Sequence, residues 1–210
     1  MPSEPTIKRT VAFVDGQNLF YAAKNAFGYS FPNYDPLALA RAVCTSQGWS
    51  LQQVRFYTGV PDAQDDPQKN AFWLGKLLQM SRSGIHVYNR ALRYRNKTVK
   101  LPDGSTHTFL VGQEKGVDVR LALDIIGMAY QQAADVLLVF SQDQDLSEVA
   151  DEIRDIATQQ DRWLKIACAF PVSPATNNRR GINGTDWIKI DRTMYDTCLD
   201  PRDYRPRRTA

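Results

Sequence analysis

Between Ala134 and Phe140 the chain reads Ala-Asp-Val-Leu-Leu-Val-Phe, and Ser141-Gln142-Asp143-Gln144-Asp145-Leu146 follows directly. A short apolar run with β-branched members, bounded by polar turn residues, is the pattern of a fully buried strand. Two carboxylates one residue apart at the exit of such a strand are costly unless something positive sits between them. A divalent metal is the simplest such charge. Acidic clusters with hard oxygen ligands hold Mg²⁺ or Mn²⁺ for phosphate chemistry.

Around this strand, strand-like and helix-like patterns alternate. Strands are expected at Thr10–Val14, Val54–Val60, Ile85–Tyr88, Trp163–Phe170 and Trp187–Ile190. Helical spacing marks Leu19–Ala26, Pro36–Ser46 and Gln68–Ser81, the last stopped by Gly84. Asp118–Gln131 repeats Leu121, Ile125 and Met128 at helical spacing, and Leu146, Val149, Ile153 and Ile156 mark a further amphipathic helix. Residues 92–113 are basic and β-like around a Pro102-Asp103-Gly104 turn, which predicts a hairpin or flap outside the core. Pro171–Asp186 reads as loop. Strands alternating with helices imply a mainly parallel sheet with right-handed crossovers, a three-layer α/β/α sandwich in a single domain. Ligands bind such sheets at the edge where the strands end.

Composition narrows the class. The chain of 210 residues can bury one sizeable core. No apolar stretch approaches the roughly 20 residues that span a bilayer, so no membrane partner is expected. Residues 1–8 form a polar tail without the apolar segment of a signal peptide. Cys44, Cys168 and Cys198 are scattered, with neither metal-ligand spacing nor a disulfide framework, which fits a reducing cytosol and a cytoplasmic protein. A net charge of +3 implies no nucleic-acid partner by itself. Residues 199–210, with Arg202, Arg205, Arg207 and Arg208, read as a solvated basic tail.

Four acids are expected on the strand-end rim. Asp15 follows the first strand, Asp143 and Asp145 follow the buried one, and Asp118 opens the helix that precedes it. Each has a plain structural alternative. Asp145 with Glu148 makes a capping box, Asp15 before Gly16 suits a turn, and Asp118 near a helix start favours the helix dipole. Asp143 is harder to explain that way, because Asp145 already supplies the cap. Asp62, Glu114 and Asp124 read as solvated or structural, with Asp124 close enough in sequence to support the site. His86 reads as a packed strand residue and His107 as an exposed one; a histidine pair cleaving RNA without metal is the weaker alternative. Gly-rich nucleotide loops and a Gly-x-Ser-x-Gly elbow are missing from the sequence.

Val14-Asp15-Gly16-Gln17-Asn18, Glu114-Lys115-Gly116-Val117-Asp118-Val119 and Ser141-Gln142-Asp143-Gln144-Asp145-Leu146 resemble, in order and spacing, the motifs of the NYN domain, the PIN-like nuclease group that includes the bacterial LabA-type proteins. The resemblance spans roughly Arg9 to Ile190, within a domain drawn as residues 9–198. It implies a metal-dependent ribonuclease fold with an acidic pocket for Mg²⁺ or Mn²⁺. Residue by residue, it assigns Asp15, Asp118, Asp143 and Asp145 as catalytic and metal-binding, and Asn18 as the polar companion of Asp15. Gln142 stands where the family often has Gly, and Leu146 where Phe is common; neither change removes a carboxylate.

An acidic pocket repels a polyanion, so basic residues must surround it. Arg90, Arg93, Arg95 and Lys97, with Arg82 and Lys100, cluster around Tyr88 and Tyr94, which suits phosphate contacts with base stacking. A solvated hairpin face explains the cluster equally well. Arg179 and Arg180 would extend the track. The implied partner is RNA, single-stranded; a homo-oligomer is compatible with the sequence, which does not set the oligomeric state. The competing readings are a non-catalytic nucleic-acid-binding or regulatory module of the same fold and, more weakly, a metal-dependent phosphatase.

Overall fold

In the computed structural model, which describes residues 2–206, strand β1 (Arg9–Asp15) serves two cores at once. Ala12 and Val14 face one side of the sheet, Val11 and Phe13 the other. This is the period-two alternation of a strand covered on both faces. Strands β2 (Ser50–Val60), β3 (His86–Ala91), β6 (Val136–Phe140), β7 (Lys165–Pro171) and β8 (Asp186–Ile190) join β1 in a six-stranded sheet of order β3-β2-β1-β6-β7-β8, every pairing parallel. Strands β4 (Arg93–Lys100) and β5 (Thr106–Gln113) form a separate antiparallel hairpin, as expected for residues 92–113.

Helices α1 (Gly16–Phe27), α2 (Pro36–Gln47) and α3 (Pro67–Arg82) cover one face, and α4 (Val117–Tyr130) and α5 (Ser147–Gln159) the other. The result is the single α/β/α domain that the alternating pattern implies. No described helix is long and apolar enough to cross a membrane. Cys44, Cys168 and Cys198 are free and buried.

Local differences from the sequence reading have identifiable causes. Strand β7 starts at Lys165 rather than Trp163, whose ring lies between the ammonium groups of Lys8 and Lys165. Periodicity missed the short helix α6 (Arg192–Asp196), capped by the Asp191 carboxylate on the Met194 N–H (2.8 Å), because five residues are too few to show a repeat. His86 is exposed on the edge strand β3, not packed. Nor do residues 200–206 form a free tail, for Asp200 and Tyr204 are half-buried against the domain. Lys76 is 1% exposed, and a buried ammonium requires a partner. Asp200 Oδ2 supplies it at 2.8 Å, and the Tyr34 carbonyl accepts a second bond at 2.8 Å. Tyr204 then packs edge-on against Phe72, and Arg205 lies 4.2 Å above the Phe31 ring. Arg207 and Arg208 lie outside the described residues.

Candidate functional site

Strand β1 is the switch point of the sheet: the order runs through β2 on one side and through β6 on the other. Crevices open at such points, beyond the carboxyl ends of the strands. Asp15 ends β1 there. Its Oδ1 accepts the Asn18 main-chain N–H (3.0 Å), capping α1, and its Oδ2 accepts the Ser141 hydroxyl (3.3 Å). Ser141 in turn accepts the Asp143 N–H (3.1 Å), while the Asn18 side-chain carbonyl accepts the Gln142 N–H (2.8 Å). These bonds stitch the turn after β1 to the turn after β6. The carbonyl of Asn18 is therefore committed to holding the loop.

The helix cap falls on a different acid from the one the sequence suggests. Asp143 Oδ1 accepts the Asp145 N–H (3.1 Å) and caps a one-turn 3₁₀ helix, Gln144–Leu146. That inserted turn delays α5 to Ser147, so no Asp145–Glu148 capping box forms and Leu146 occupies the cap position without a side-chain bond. Asp145 is left exposed, its carboxylate unused by the helix.

Glu114, read from sequence as solvated or structural, belongs to this rim. It leaves the hairpin just after β5, and its Oε2 accepts the Gly59 N–H at the end of β2. Burial, with the Asp15 and then the Asp118 charge beside it, pushes its pKa up to about 7. Burial also pushes Asp15 up to about 6, with the Asp143 charge adding to the effect and the bonds from Asn18 and Ser141 opposing it. Asp15 thus feels the Asp143 charge, and Glu114 those of Asp15 and Asp118. Asp118 sits exposed in the first turn of α4, after Gly116, whose backbone is left-handed (φ +74°). The signal for Glu114 was present in the sequence, since it opens the Glu-Lys-Gly-Val-Asp motif.

Among the described residues, none of Asp15, Glu114, Asp118, Asp143 and Asp145 has a salt-bridge partner, although ten ion pairs occur elsewhere. Asp124, by contrast, is structural: Arg55 and Arg120 each approach it to 2.9 Å and the Tyr57 hydroxyl donates to it at 2.7 Å. Hard oxygen donors, partly desolvated and lacking a counter-charge, suit Mg²⁺ or Mn²⁺ by their chemistry. Among the described residues no three such groups come close enough to hold one metal ion, so the expected set of Asp15, Asp118, Asp143 and Asp145 does not close into a single site. A hydrated Mg²⁺ needs only one or two carboxylates and keeps its waters.

The expected basic track divides. The Arg90 guanidinium reaches the Lys115 carbonyl (3.4 Å) and lies against Gly116, beside the acids. On β4, Tyr94 turns toward the sheet, where its hydroxyl accepts the Asp62 N–H (3.2 Å). Strand alternation then places Arg93, Arg95 and Lys97 on the outer face of the hairpin, away from the rim. Tyr88 is packed 6.1 Å from Tyr57 under Arg120. The Arg179 side chain donates to the Thr176 and Pro174 carbonyls and so braces its own loop.

Two cavities open near the ends of these strands, and of the five acids only Glu114 lines one of them. A cleft of about 1190 Å³ opens over the ends of β1 and β2, with Gly16, Gly59 and Glu114 in its floor, Tyr94 and Leu110 of the hairpin on one wall, and Phe31 with Arg205 on another. A groove of about 460 Å³ lies on the Asn18 and Gln142 side. Tyr21 lines both.

The family model of the NYN domain matches residues 9–159. Among solved structures, a protein of unknown function from Vibrio parahaemolyticus is 19% identical, with a TM-score of 0.52 over 90% of this chain and 97% of that one. That likeness shows a shared fold. Ribokinase from Giardia lamblia (13% identity, TM-score 0.35, 80% of this chain and 52% of that one) and MurG from Acinetobacter baumannii (8%, 0.34, 87% and 45%) are too distant in structure to carry an argument. No curated protein matches the chain.

Proposed function

The chain belongs to the NYN domain family, whose fold is nuclease-like, and from that premise we propose that it is a metal-dependent ribonuclease hydrolysing RNA phosphodiester bonds. One observation carries the reading: Asp15 and Glu114, desolvated and without ion-pair partners among the described residues, stand with the charges of Asp143 and Asp118 near them at the switch point of a parallel sheet. Carboxylates that repel one another make the folded chain less stable, and a divalent cation relieves that repulsion.

Asp15 and Asp143 would hold Mg²⁺ or Mn²⁺ as a pair, with water filling the remaining positions, since among the described residues no third acid closes on the same ion. When bound, such an ion lowers the pKa of water and offsets charge on the phosphate. The chain's own part is positional. Ser141 and the Asn18 N–H fix both oxygens of Asp15, and the Asn18 carbonyl holds the Gln142 N–H so that the Asp143 loop cannot drift. Glu114 is pinned by the Gly59 N–H at the floor of the large cleft. Arg90, against Gly116, is placed to take a phosphate oxygen of the strand. Asp145, exposed next to Asp143, would orient a water or a second-metal hydrate.

Cleavage of labelled single-stranded RNA in Mn²⁺, measured beside an Asp143→Asn variant, tests this. The expected result is cleavage by the native chain, abolished by EDTA and reduced at least a hundredfold in the variant. Equal cleavage by the variant refutes the metal site. Binding without cleavage in any divalent metal supports the non-catalytic module, and turnover of small phosphate esters but not RNA supports the phosphatase.

A further inference from the structure

The two cavities beside the acids differ in chemistry, and the difference points to what each takes. In the large cleft, aromatic rings dominate the walls: Tyr21, Phe31, Phe72, Trp73 and Tyr94. A flat cation already stacks there, since the Arg205 guanidinium lies 4.2 Å over the Phe31 ring. With the Phe31 face so taken, Tyr21, Trp73 and Tyr94 are left for a planar, π-faced group. The groove on the other side is lined instead by amide-bearing residues, Asn18, Asn25, Gln142, Asn177 and Asn178. The Asn18 and Asn178 carbonyls and the Gln142 amide N–H already hold the surrounding loops, which leaves Asn25 and Asn177 for a ligand. Amides pair with the donor and acceptor edges of bases, and aromatic rings stack on base faces whatever the sequence.

Tyr21 divides the two, with its side chain about half exposed (50%). Asp15 caps the helix that carries this divide and lines neither cavity itself. Its neighbour Gly16 belongs to the cleft, and its hydrogen-bond partner Asn18 belongs to the groove. A strand crossing the acids must therefore send one nucleotide to each side of Tyr21.

We propose that the aromatic cleft and the amide groove, which share Tyr21 and lie on either side of the first turns of α1, are paired subsites for two unpaired nucleobases on either side of the scissile phosphate. The inference rests on the nuclease reading for where the phosphate lies, but its content is base recognition. Stacking would supply sequence-tolerant affinity in the cleft, and the amides would supply base preference in the groove. A duplex keeps its bases paired and stacked, so it would reach neither subsite.

Binding without turnover separates this inference from the nuclease reading. The full chain, in EDTA, is titrated into a fluorescently labelled single strand of ten nucleotides, the same strand with two adjacent abasic sites at its centre, and the duplex. The intact strand is expected to bind roughly tenfold or more tightly than the abasic strand and the duplex, as loss of base stacking predicts. Tyr21→Ala, which truncates a half-exposed ring and leaves the core intact, should weaken binding of the intact strand and narrow its advantage over the abasic one. Asn25→Ala, on the exposed face of α1, should flatten preference among strands that differ only in the two central bases. Equal binding of intact and abasic strands overturns the proposal, as does a Tyr21→Ala protein with native affinity and a native melting curve. Base-dependent binding without any Mn²⁺-dependent cleavage would leave the subsites standing and remove the nuclease reading; cleavage with base-independent binding would do the reverse.

Discussion

Replacing Asp15 by Asn in metal-free protein should raise stability at pH 8. Burial first, and then the Asp143 charge, lifts the Asp15 pKa from 3.8 to about 6. A folded-state pKa above the unfolded one means that the native chain holds the proton more tightly than the unfolded chain. Stability therefore falls as pH rises through the window from about 4 to about 6, and the loss persists above it. A shift of about two units corresponds to at most about 3 kcal/mol, at 1.36 kcal/mol per unit. Asp15 keeps some solvent contact, so about 1–2 kcal/mol is the working figure. Asn removes the charge and keeps an acceptor for the Asn18 N–H and a partner for the Ser141 hydroxyl; it is also as good a helix cap as Asp. For a chain of this size, about 2–4 °C per kcal/mol gives a rise in Tm of roughly 2–8 °C at pH 8. At pH 4 the rise should nearly vanish, because the native carboxyl is already protonated. Thermal melts in EDTA at both pH values measure the effect. Adding Mn²⁺ at pH 8 should stabilise the native chain and do little for the variant. A variant that is less stable at pH 8, or equally stabilised at both pH values, would refute the claim that the carboxylate is uncompensated.

Other perturbations should separate site from scaffold. Gly59→Ala would drive a methyl group into Leu92 Cδ2 and to 2.7 Å from Glu114 Oε2, so it should displace Glu114, lower Tm and weaken Mn²⁺ stabilisation in the same melts. Asp124→Asn removes the partner of Arg55, whose side chain is only 10% exposed, and should cost about 2–4 kcal/mol by urea unfolding, with the Tm gain on adding Mn²⁺ retained. Lys76→Met leaves Asp200 unpaired, and should cost about 1–3 kcal/mol and speed tryptic cleavage after Arg202, read by mass spectrometry.

The order of strands and helices was legible in the sequence because it is written in short-range periodicity. A run such as Val136–Phe140, apolar at every position, has no stable place except a sheet covered on both faces. The Pro102-Asp103-Gly104 turn announced the hairpin for the same local reason. Three ordered motifs located Asp15, Asp118 and Asp143, since each stands at a strand end or helix start that periodicity fixes. What they could not carry was distance between remote segments. Glu114 looked like a charge at the foot of a flap until the Gly59 N–H drew it toward Asp15. Arg93, Arg95 and Lys97 formed one basic cluster in sequence, and the direction in which Tyr94 points decided that they face outward. The fate of Asp200 depended on a lysine 124 residues earlier that burial had left in need of a charge. Local pattern selects the elements; the pairing of buried polar groups across the chain, which solvent no longer satisfies, decides which of them meet.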